Sequence, residues 1–336
     1  GVFAFGEPCN TGGRTKHAGG KSLLALDLDN DGDMDILFSE AGCTRIYQLT
    51  NTGTHETPLI TSASNFPSGA PISILQFPAV FYEDVDFDGR KDLMASPSIF
   101  AREFIQTDLQ QSTWFYKNTG TQQLPQFTFE RRNFLQHEMI DVSDNAVPAF
   151  YDADGDGDLD MFIGTFVNGT RGSIYYYENI GNRNDPVFKL VTDNLLGLSF
   201  YNFTNIKPQF ADVNGDAKMD LVFTASNATG IGTNLYYVLN NNNVGLNFNE
   251  QQVQSLNFPI FSSENILMTD INNDLKPDLL VGKRDGSLHY WQNMGTTSVP
   301  VFILTNNAYL GLGASILRQN LSMAVGDLNA DGLPDL

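Results

Sequence analysis

The stretch YDADGDGDLD at residues 151–160 places five aspartates and two glycines in ten positions. Like charges this close together destabilise a short loop unless a positive charge lies among them, and the stretch contains neither Lys nor Arg. These ten residues alone leave two explanations open. Either the loop binds a cation, or it is a solvated acidic loop.

The same pattern, Asp-x-Asp-x-Asp-Gly-x-x-Asp with substitutions in the later copies, occurs six times along the chain of 336 residues. A recurring interval of this size indicates a repeat architecture, and it overrides the one or two ordinary domains that the length suggests. The intervals run from 57 to 68 residues, and the copies begin at Asp27, Asp84, Asp152, Asp212, Asp270 and Asp327.

Each repeat carries apolar or aromatic runs on both sides of its acidic loop. In the second repeat PAVFYE (78–83) precedes the loop, LMA (93–95) follows it, and WFYKN (114–118) ends on an asparagine that begins a turn. Four short strands in about 60 residues predict an all-β chain, a β-propeller of four-stranded blades with the loop between the first two strands of each blade. A β-solenoid has shorter coils, and tandem β-sandwiches need more residues per unit.

The repeats also predict the domain boundaries. Six blade starts are visible, and the sixth repeat stops after one strand and its loop, so we expect a piece of a longer protein. The sequence leaves six, seven or more blades open for the intact ring, and we expect seven. We expect an N-terminal segment at 1–21 and a propeller at 22–336, with blades at about 22–77, 78–146, 147–206, 207–264 and 265–321 and a partial blade at 322–336.

The loop composition favours calcium, which accepts about six to eight carboxylate or carbonyl oxygens at flexible geometry, whereas magnesium demands stricter octahedral geometry. Side chains at loop positions 1, 3, 5 and 9 converge if the backbone curls around one point. A glycine at position 6 permits that turn, and position 7 offers its backbone carbonyl. We expect up to six calcium ions, bound by positions 1, 3, 5, 7 and 9 of the six loops: Asp27, Asp29, Asp31, Asp33, Asp35; Asp84, Asp86, Asp88, Arg90, Asp92; Asp152, Asp154, Asp156, Asp158, Asp160; Asp212, Asn214, Asp216, Lys218, Asp220; Asp270, Asn272, Asp274, Lys276, Asp278; and Asp327, Asn329, Asp331, Leu333, Asp335.

The charge distribution agrees with this interpretation. The formal net charge is -20, and positions 1, 3, 5 and 9 hold 21 of the 39 acidic residues, which leaves 18 to balance 19 Lys and Arg. The excess negative charge therefore lies in the predicted ligands. No basic patch predicts a nucleic-acid partner, and no apolar run approaches the ~20 residues that span a membrane.

No catalytic constellation is visible, so we do not expect an enzyme. His137-Glu138 begins like a zinc protease motif, but residue 141 is Asp where the second His is needed. No Gly-x-Ser-x-Gly nucleophile motif occurs. The aromatic runs around Trp114 and Trp291 suit blade cores better than sugar-stacking platforms. Cys9 and Cys43 form either one disulfide, which we expect, or two buried thiols.

The loops, together with the hydrophobic-Gly runs MFIG (161–164) and LLVG (279–282), resemble FG-GAP/VCBS repeats. Those repeats form the calcium-bearing β-propellers of integrin α-chains and of many bacterial surface proteins. The Asn-x-Gly-Thr turns followed by Pro-x-Phe are similar to the secreted VCBS-repeat proteins of Bacteroidetes, which the type IX system exports. The chain departs from the pattern where Ala217 and Leu275 replace the loop glycine, so the fourth and fifth loops are expected to bind calcium more weakly. The sorting domain of type IX cargo is not in the sequence.

The resemblance implies a secreted or cell-surface calcium-binding propeller that acts as a non-enzymatic adhesion, ligand-binding or scaffold module. Its implied partners are an extracellular protein or glycan and the machinery of secretion or surface anchoring. The alternative is the substrate-binding propeller of an enzyme that acts on polysaccharide. A flanking adhesion domain would favour the first interpretation and a flanking catalytic domain the second.

Overall fold

The computed structural model describes most of the chain and divides it into two compact units, Gly1–Asp141 and Val142–Leu336. The described residues are 20–40, 43–75, 77–98, 108–142, 144–166 (backbone only at 144 and 166), 171–227, 232–248, 252–326, 329, 335 and 336.

The first unit contains two four-stranded antiparallel sheets whose strands follow one another in chain order. A short 3₁₀ turn at Leu109–Gln111 lies in the second sheet's connection between β6 and β7. The strands are β1 (Lys21–Leu26), β2 (Asp35–Glu40), β3 (Tyr47–Asn51), β4 (Ile60–Asn65), β5 (Pro78–Glu83), β6 (Asp92–Pro97), β7 (Trp114–Asn118) and β8 (Phe127–Arg131).

The second unit contains three more sheets of the same kind, and short 3₁₀ turns at Leu195–Tyr201 and Tyr309–Gly311. Its strands are β9 (Asp144–Tyr151), β10 (Asp160–Phe166), β11 (Ile174–Asn179), β12 (Phe188–Thr192), β13 (Phe203–Ala211), β14 (Asp220–Asn227), β15 (Thr233–Val238), β16 (Gln254–Ile260), β17 (Asn265–Thr269), β18 (Asp278–Gly282), β19 (Leu288–Asn293) and β20 (Phe302–Asn306).

These five sheets confirm the predicted all-β architecture of four-stranded propeller blades, with the acidic loop between the first two strands of each. Residues 78–83 form a strand with the predicted bounds, and β1 begins at Lys21, one residue before the predicted start of the propeller. β9 and β13 begin at Asp144 and Phe203, before the predicted blade boundaries at 147 and 207. They extend further because their pairing with the second strand continues beyond a register shift.

The second strand of each blade forms much of the core, because it lies between two other strands and is covered on both faces. In β14 the consecutive residues Leu221, Val222 and Phe223 are all fully buried. Leu37 in β2 and Leu93 in β6 hold the equivalent places in the first unit. Full burial of one such side chain contributes about 1.5–3 kcal/mol.

The aromatic runs of the third strands pack within and between the blades, which supports the core interpretation. Tyr176 of β11 stacks on Phe162 of β10 in the same blade with ring centroids 4.7 Å apart, and Trp291 of β19 meets Phe258 in β16 of the preceding blade edge to face at 5.1 Å.

Cys43 is buried and takes part in a disulfide, so the alternative of two buried thiols is wrong. Its predicted partner Cys9 lies outside the described residues. Among the residues that the structure describes, no helix has the length and apolar character needed to cross a membrane.

Candidate metal centre

The acidic loops occupy the same place in all five described blades. The first aspartate follows directly after the first strand, and the aspartate at position 9 is the first residue of the second strand. In the third blade, for example, Asp152 follows β9 and Asp160 begins β10. The sequence repeat is therefore a structural repeat, and it presents the carboxylates at one end of each sheet.

Backbone hydrogen bonds curl each loop. In the third loop Asp152 accepts the N–H of Gly155 at 2.7 Å and that of Gly157 at 3.1 Å. Asp154 and Asp156 each accept the N–H of the residue two positions later, at 3.1 and 3.0 Å. Three bonds recur in the other four described loops. The backbone N–H groups of positions 6, 5 and 7 donate to the side-chain oxygens of positions 1, 3 and 5, respectively. The side chains at positions 1, 3 and 5 are thereby held on the inside of the curl.

The fourth and fifth loops keep this shape without the glycine. Ala217 and Leu275 both have φ +64°, in the left-handed region where Gly157 lies at +98°. Gly215 and Asn273, at position 4, do not shift the turn to relieve this strain, because position 4 is left-handed in all five described loops, including the third, which has a glycine at position 6.

Leu275→Gly is therefore expected to stabilise the fifth loop. A left-handed non-glycine residue costs about 1–2 kcal/mol, and Leu275 is 83% exposed, so little packing is lost. Urea unfolding in chelator should show a gain of about 1 kcal/mol. The matched control Leu190→Gly, at a half-exposed strand position without positive φ, should lose stability instead. A Leu275→Gly protein no more stable than the parent would refute the strain at this residue.

The aspartate at position 9 has a second role that the sequence did not reveal. Asp160 is buried, and it accepts the N–H of Ala153 at 2.8 Å and that of Asn179, at the end of β11, at 2.7 Å. The same two bonds recur for Asp35, Asp92, Asp220 and Asp278. Each position 9 aspartate thus ties its loop to the third strand of its own blade.

Burial makes three of these carboxylates costly to ionise. Desolvation raises the pKa of Asp220 to about 6, against hydrogen bonds from the N–H groups of Asn240 and Val213 that lower it. Desolvation likewise raises the pKa of Asp35 and Asp160. A divalent cation would reverse this penalty, because a nearby positive charge favours the ionised form.

Three loops bring three carboxylates together. In each group one oxygen per residue lies within 4.8 Å of the others, and the groups are Asp27, Asp29 and Asp31; Asp84, Asp86 and Asp92; and Asp152, Asp154 and Asp160. In the fourth and fifth loops position 3 is Asn, and its amide donates to the position 5 carboxylate at 3.2 Å in both. Of the described loops, the first three therefore have the donor set that best fits a hard divalent ion.

The residue at position 7 was predicted only to offer its backbone carbonyl to the ion. The charge of its side chain is a further difference between the loops. Arg90 pairs with Asp88 at 2.5 Å, and the hydrogen bond from Arg90 holds the pKa of Asp88 well below its usual range. Lys117, from β7, pairs with Asp86 and Asp88. The lysines at position 7 of the last two described loops also pair with position 5, Lys218 with Asp216 and Lys276 with Asp274.

The first and third loops carry aspartate at position 7, Asp33 and Asp158. None of the described basic side chains forms an ion pair with either loop. Asp158 is 8% exposed, and its Oδ1 has no hydrogen-bond partner among the described residues. Since a buried carboxylate oxygen without a partner is costly, the third loop fits a bound cation.

The third and fourth loops also contact the next blade of the second unit. Leu246, in the connection between β15 and β16, donates its N–H to the carbonyl of Ala153 at 2.7 Å. A Cβ on Gly155 would lie 2.5 Å from Val244, and one on Gly215 would lie 2.8 Å from Thr297. An ordered loop therefore supports the packing of neighbouring blades.

The asparagine at the end of each third strand, or two residues after it in the fourth blade, fixes the turn that follows. Asn179 accepts, through Oδ1, the N–H of Gly181 at 3.1 Å and that of Val187 at 2.8 Å. Gly181 is required because a Cβ there would collide with the carbonyl of Asp185. The Asn-x-Gly marker of the sequence is thus a structural device.

Some predicted ligands cannot be placed. In the sixth loop Asp327, Asp331 and Leu333 lie outside the described residues, whereas Asp335 pairs through its backbone with Gly326. His137 and Glu138 are exposed and belong to none of the metal-ligating groups found among the described residues.

With this geometry in view, comparison with known proteins identifies the family. The FG-GAP-like repeat family matches residues 18–95, 152–223 and 270–336, more than half of the chain. The chain belongs to the FG-GAP-like repeat family, and its blades are those of an FG-GAP β-propeller. The narrower resemblance to secreted Bacteroidetes proteins stays a prediction.

No curated protein matches the chain. Among solved structures, a lectin of Agrocybe aegerita described as recognising non-reducing terminal N-acetylglucosamine is similar, with 16% identity over 87% of this chain and 81% of that one and a TM-score of 0.30. At that identity and score the likeness says nothing about what this chain binds.

Proposed function

We propose that this chain is a calcium-binding β-propeller that works outside the cell as a non-enzymatic ligand-binding or scaffold module. The observation that carries the calcium part is the convergence of three carboxylates in each of the first three loops. The unpartnered buried oxygen of Asp158 and membership of the FG-GAP-like repeat family support it.

The ions would be held by the carboxylates at positions 1, 3, 5 and 9. Calcium would supply the positive charge that lets these groups lie close together in a partly buried loop. The chain's own contribution is orientation, because the backbone N–H groups already hold the position 1 carboxylate inside the curl. Cytosolic calcium is too low to fill weak sites of this kind, which supports a secreted or cell-surface setting.

The charges in each loop predict the order in which the loops bind calcium. The first and third loops have five aspartates each and no ion-paired basic side chain among the described residues, whereas Arg90 and Lys117 already pair with carboxylates of the second loop. The fourth and fifth have three aspartates each and an ion-paired lysine. Calcium should therefore fill the first and third loops first, the second next, and the fourth and fifth last.

Anomalous scattering from crystals equilibrated at increasing calcium tests this order. We expect peaks in the first and third loops at the lowest concentration. Matched crystals in magnesium, which has almost no anomalous signal, should lack these peaks. Peaks that appear first in the fourth and fifth loops would overturn the ranking. Crystals without a calcium peak in any described loop would overturn the calcium proposal itself.

A further inference from the structure

A cavity lies in the second unit, at the opposite end of the first strands from the acidic loops. Its volume is about 490 Å³, and it is lined by residues in the first part of β9 and β13, by the residues that lead into and begin β17, and by Asn320. Small-molecule sites typically occupy about 300–1,000 Å³. The cavity shares no residue with the candidate metal centre.

The lining repeats one feature from blade to blade. Asn145, Asn205 and Asn320 each lie seven positions before the first Asp of an acidic loop, and their φ angles are +55°, +54° and +55°. Asparagine tolerates this left-handed conformation, but the backbone does not require it, because Phe77 has φ +42° at the equivalent position of the second blade. The backbone alone therefore does not explain three carboxamides around one cavity.

These carboxamides have hydrogen-bonding capacity to spare. The side chains of Asn145 and Asn320 form no hydrogen bond with the described residues. Asn205 donates its amide to the carbonyl of Ser262 at 3.0 Å, which leaves its Oδ1 without a partner among the same residues. The hydroxyl groups of Ser262 and Ser263 also line the cavity.

Lys207 supplies the one positive charge of the lining. Its ammonium group donates to the carbonyl of Glu264 at 2.8 Å and to Oδ1 of Asn265 at 2.9 Å, so one of its three N–H bonds is unassigned. Within the described part of the chain it forms no ion pair, and the Glu264 carboxylate is paired with Lys283 instead. Burial lowers the pKa of Lys207, because desolvation disfavours the charged form, so an incoming anion would relieve this penalty.

We propose that this cavity binds an acidic sugar residue that carries one carboxylate. Lys207 would hold the carboxylate, and Asn145, Asn205 and Asn320 would bind the hydroxyls. Carboxamides and hydroxyls both donate and accept, which suits sugar hydroxyls, and no lining residue is acidic. The net charge of -20 repels a polyanion more strongly than a ligand with one carboxylate, so the proposal is limited to a single carboxylate. The inference rests on the proposed ligand-binding role, but not on calcium.

Galacturonate and galactose are the matched probes, since they differ only at carbon 6. Titration calorimetry and ligand-observed NMR on the full chain in calcium should show that galacturonate binds about tenfold more tightly than galactose. One charge-assisted hydrogen bond provides a difference in affinity of this size. Lys207→Met should abolish this preference and Lys207→Arg should retain it. Lys189→Met, at an exposed position of β12, is the control and should change nothing.

A second variant separates recognition from folding. Asn145→Gly keeps the left-handed backbone and removes a carboxamide that forms no hydrogen bond with the described residues, so both sugars should bind several-fold more weakly at an unchanged melting temperature. Equal affinity for the two sugars, binding of neither at millimolar concentration, or an unchanged preference in Lys207→Met would overturn the inference. If calcium still raised the melting temperature in that case, the calcium part of the proposed function would stand while the sugar site fell.

Discussion

Replacing Asn118 by alanine is expected to lower the free energy of unfolding by about 3–5 kcal/mol, whether or not calcium is present. Asn118 is fully buried at the end of β7. Its Oδ1 accepts the N–H groups of Gly120 and Gln126, both at 3.0 Å. Its Nδ2 donates to the carbonyls of Lys91 at 3.1 Å and Thr121 at 3.2 Å. Alanine would leave these four backbone groups without their partner.

Chemical unfolding of the two proteins in chelator measures this loss. The matched control is Asn184→Ala, at an exposed turn residue whose side chain makes no hydrogen bond with the described residues, and it should stay within about 0.5 kcal/mol of the parent. An Asn118→Ala protein as stable as that control would show that the asparagine is not the support of the turn.

The fold could be predicted because its signals are local and repeated. The acidic loop recurs at a near-constant interval, and the run at 78–83 becomes β5 with the predicted bounds. The prediction at the other strands was less accurate. β9 and β13 begin at Asp144 and Phe203, before the predicted blade boundaries, because their pairing with the second strand continues beyond a register shift.

The candidate site was less predictable, because its decisive contacts depend on orientation or on distant residues. A lysine at position 7 can extend into solvent as readily as toward position 5, and the sequence alone does not distinguish the two for Lys276. The bond between Asp160 and Asn179 joins residues 19 positions apart. Its only sequence signal was that a position 9 aspartate and a strand-ending asparagine occur together in all five complete repeats.

Calcium is expected to raise the melting temperature of this protein by about 10 °C over its value in chelator. One site at a hundredfold excess of calcium over Kd contributes about 2.7 kcal/mol, so the first and third loops together contribute about 5 kcal/mol. For a domain of this size each kcal/mol shifts the melting temperature by about 2–4 °C. Asp156→Ala removes one carboxylate of the third loop, so its calcium-dependent shift should fall to about half.

Thermal melts of the parent protein in calcium, in magnesium and in chelator test the central claim most directly. The account predicts the highest melting temperature in calcium, a smaller rise in magnesium, and the lowest value in chelator. Melting temperatures that are the same in calcium and in chelator would contradict it. A folded state whose carboxylates converge to bind an ion must be more stable when that ion is bound.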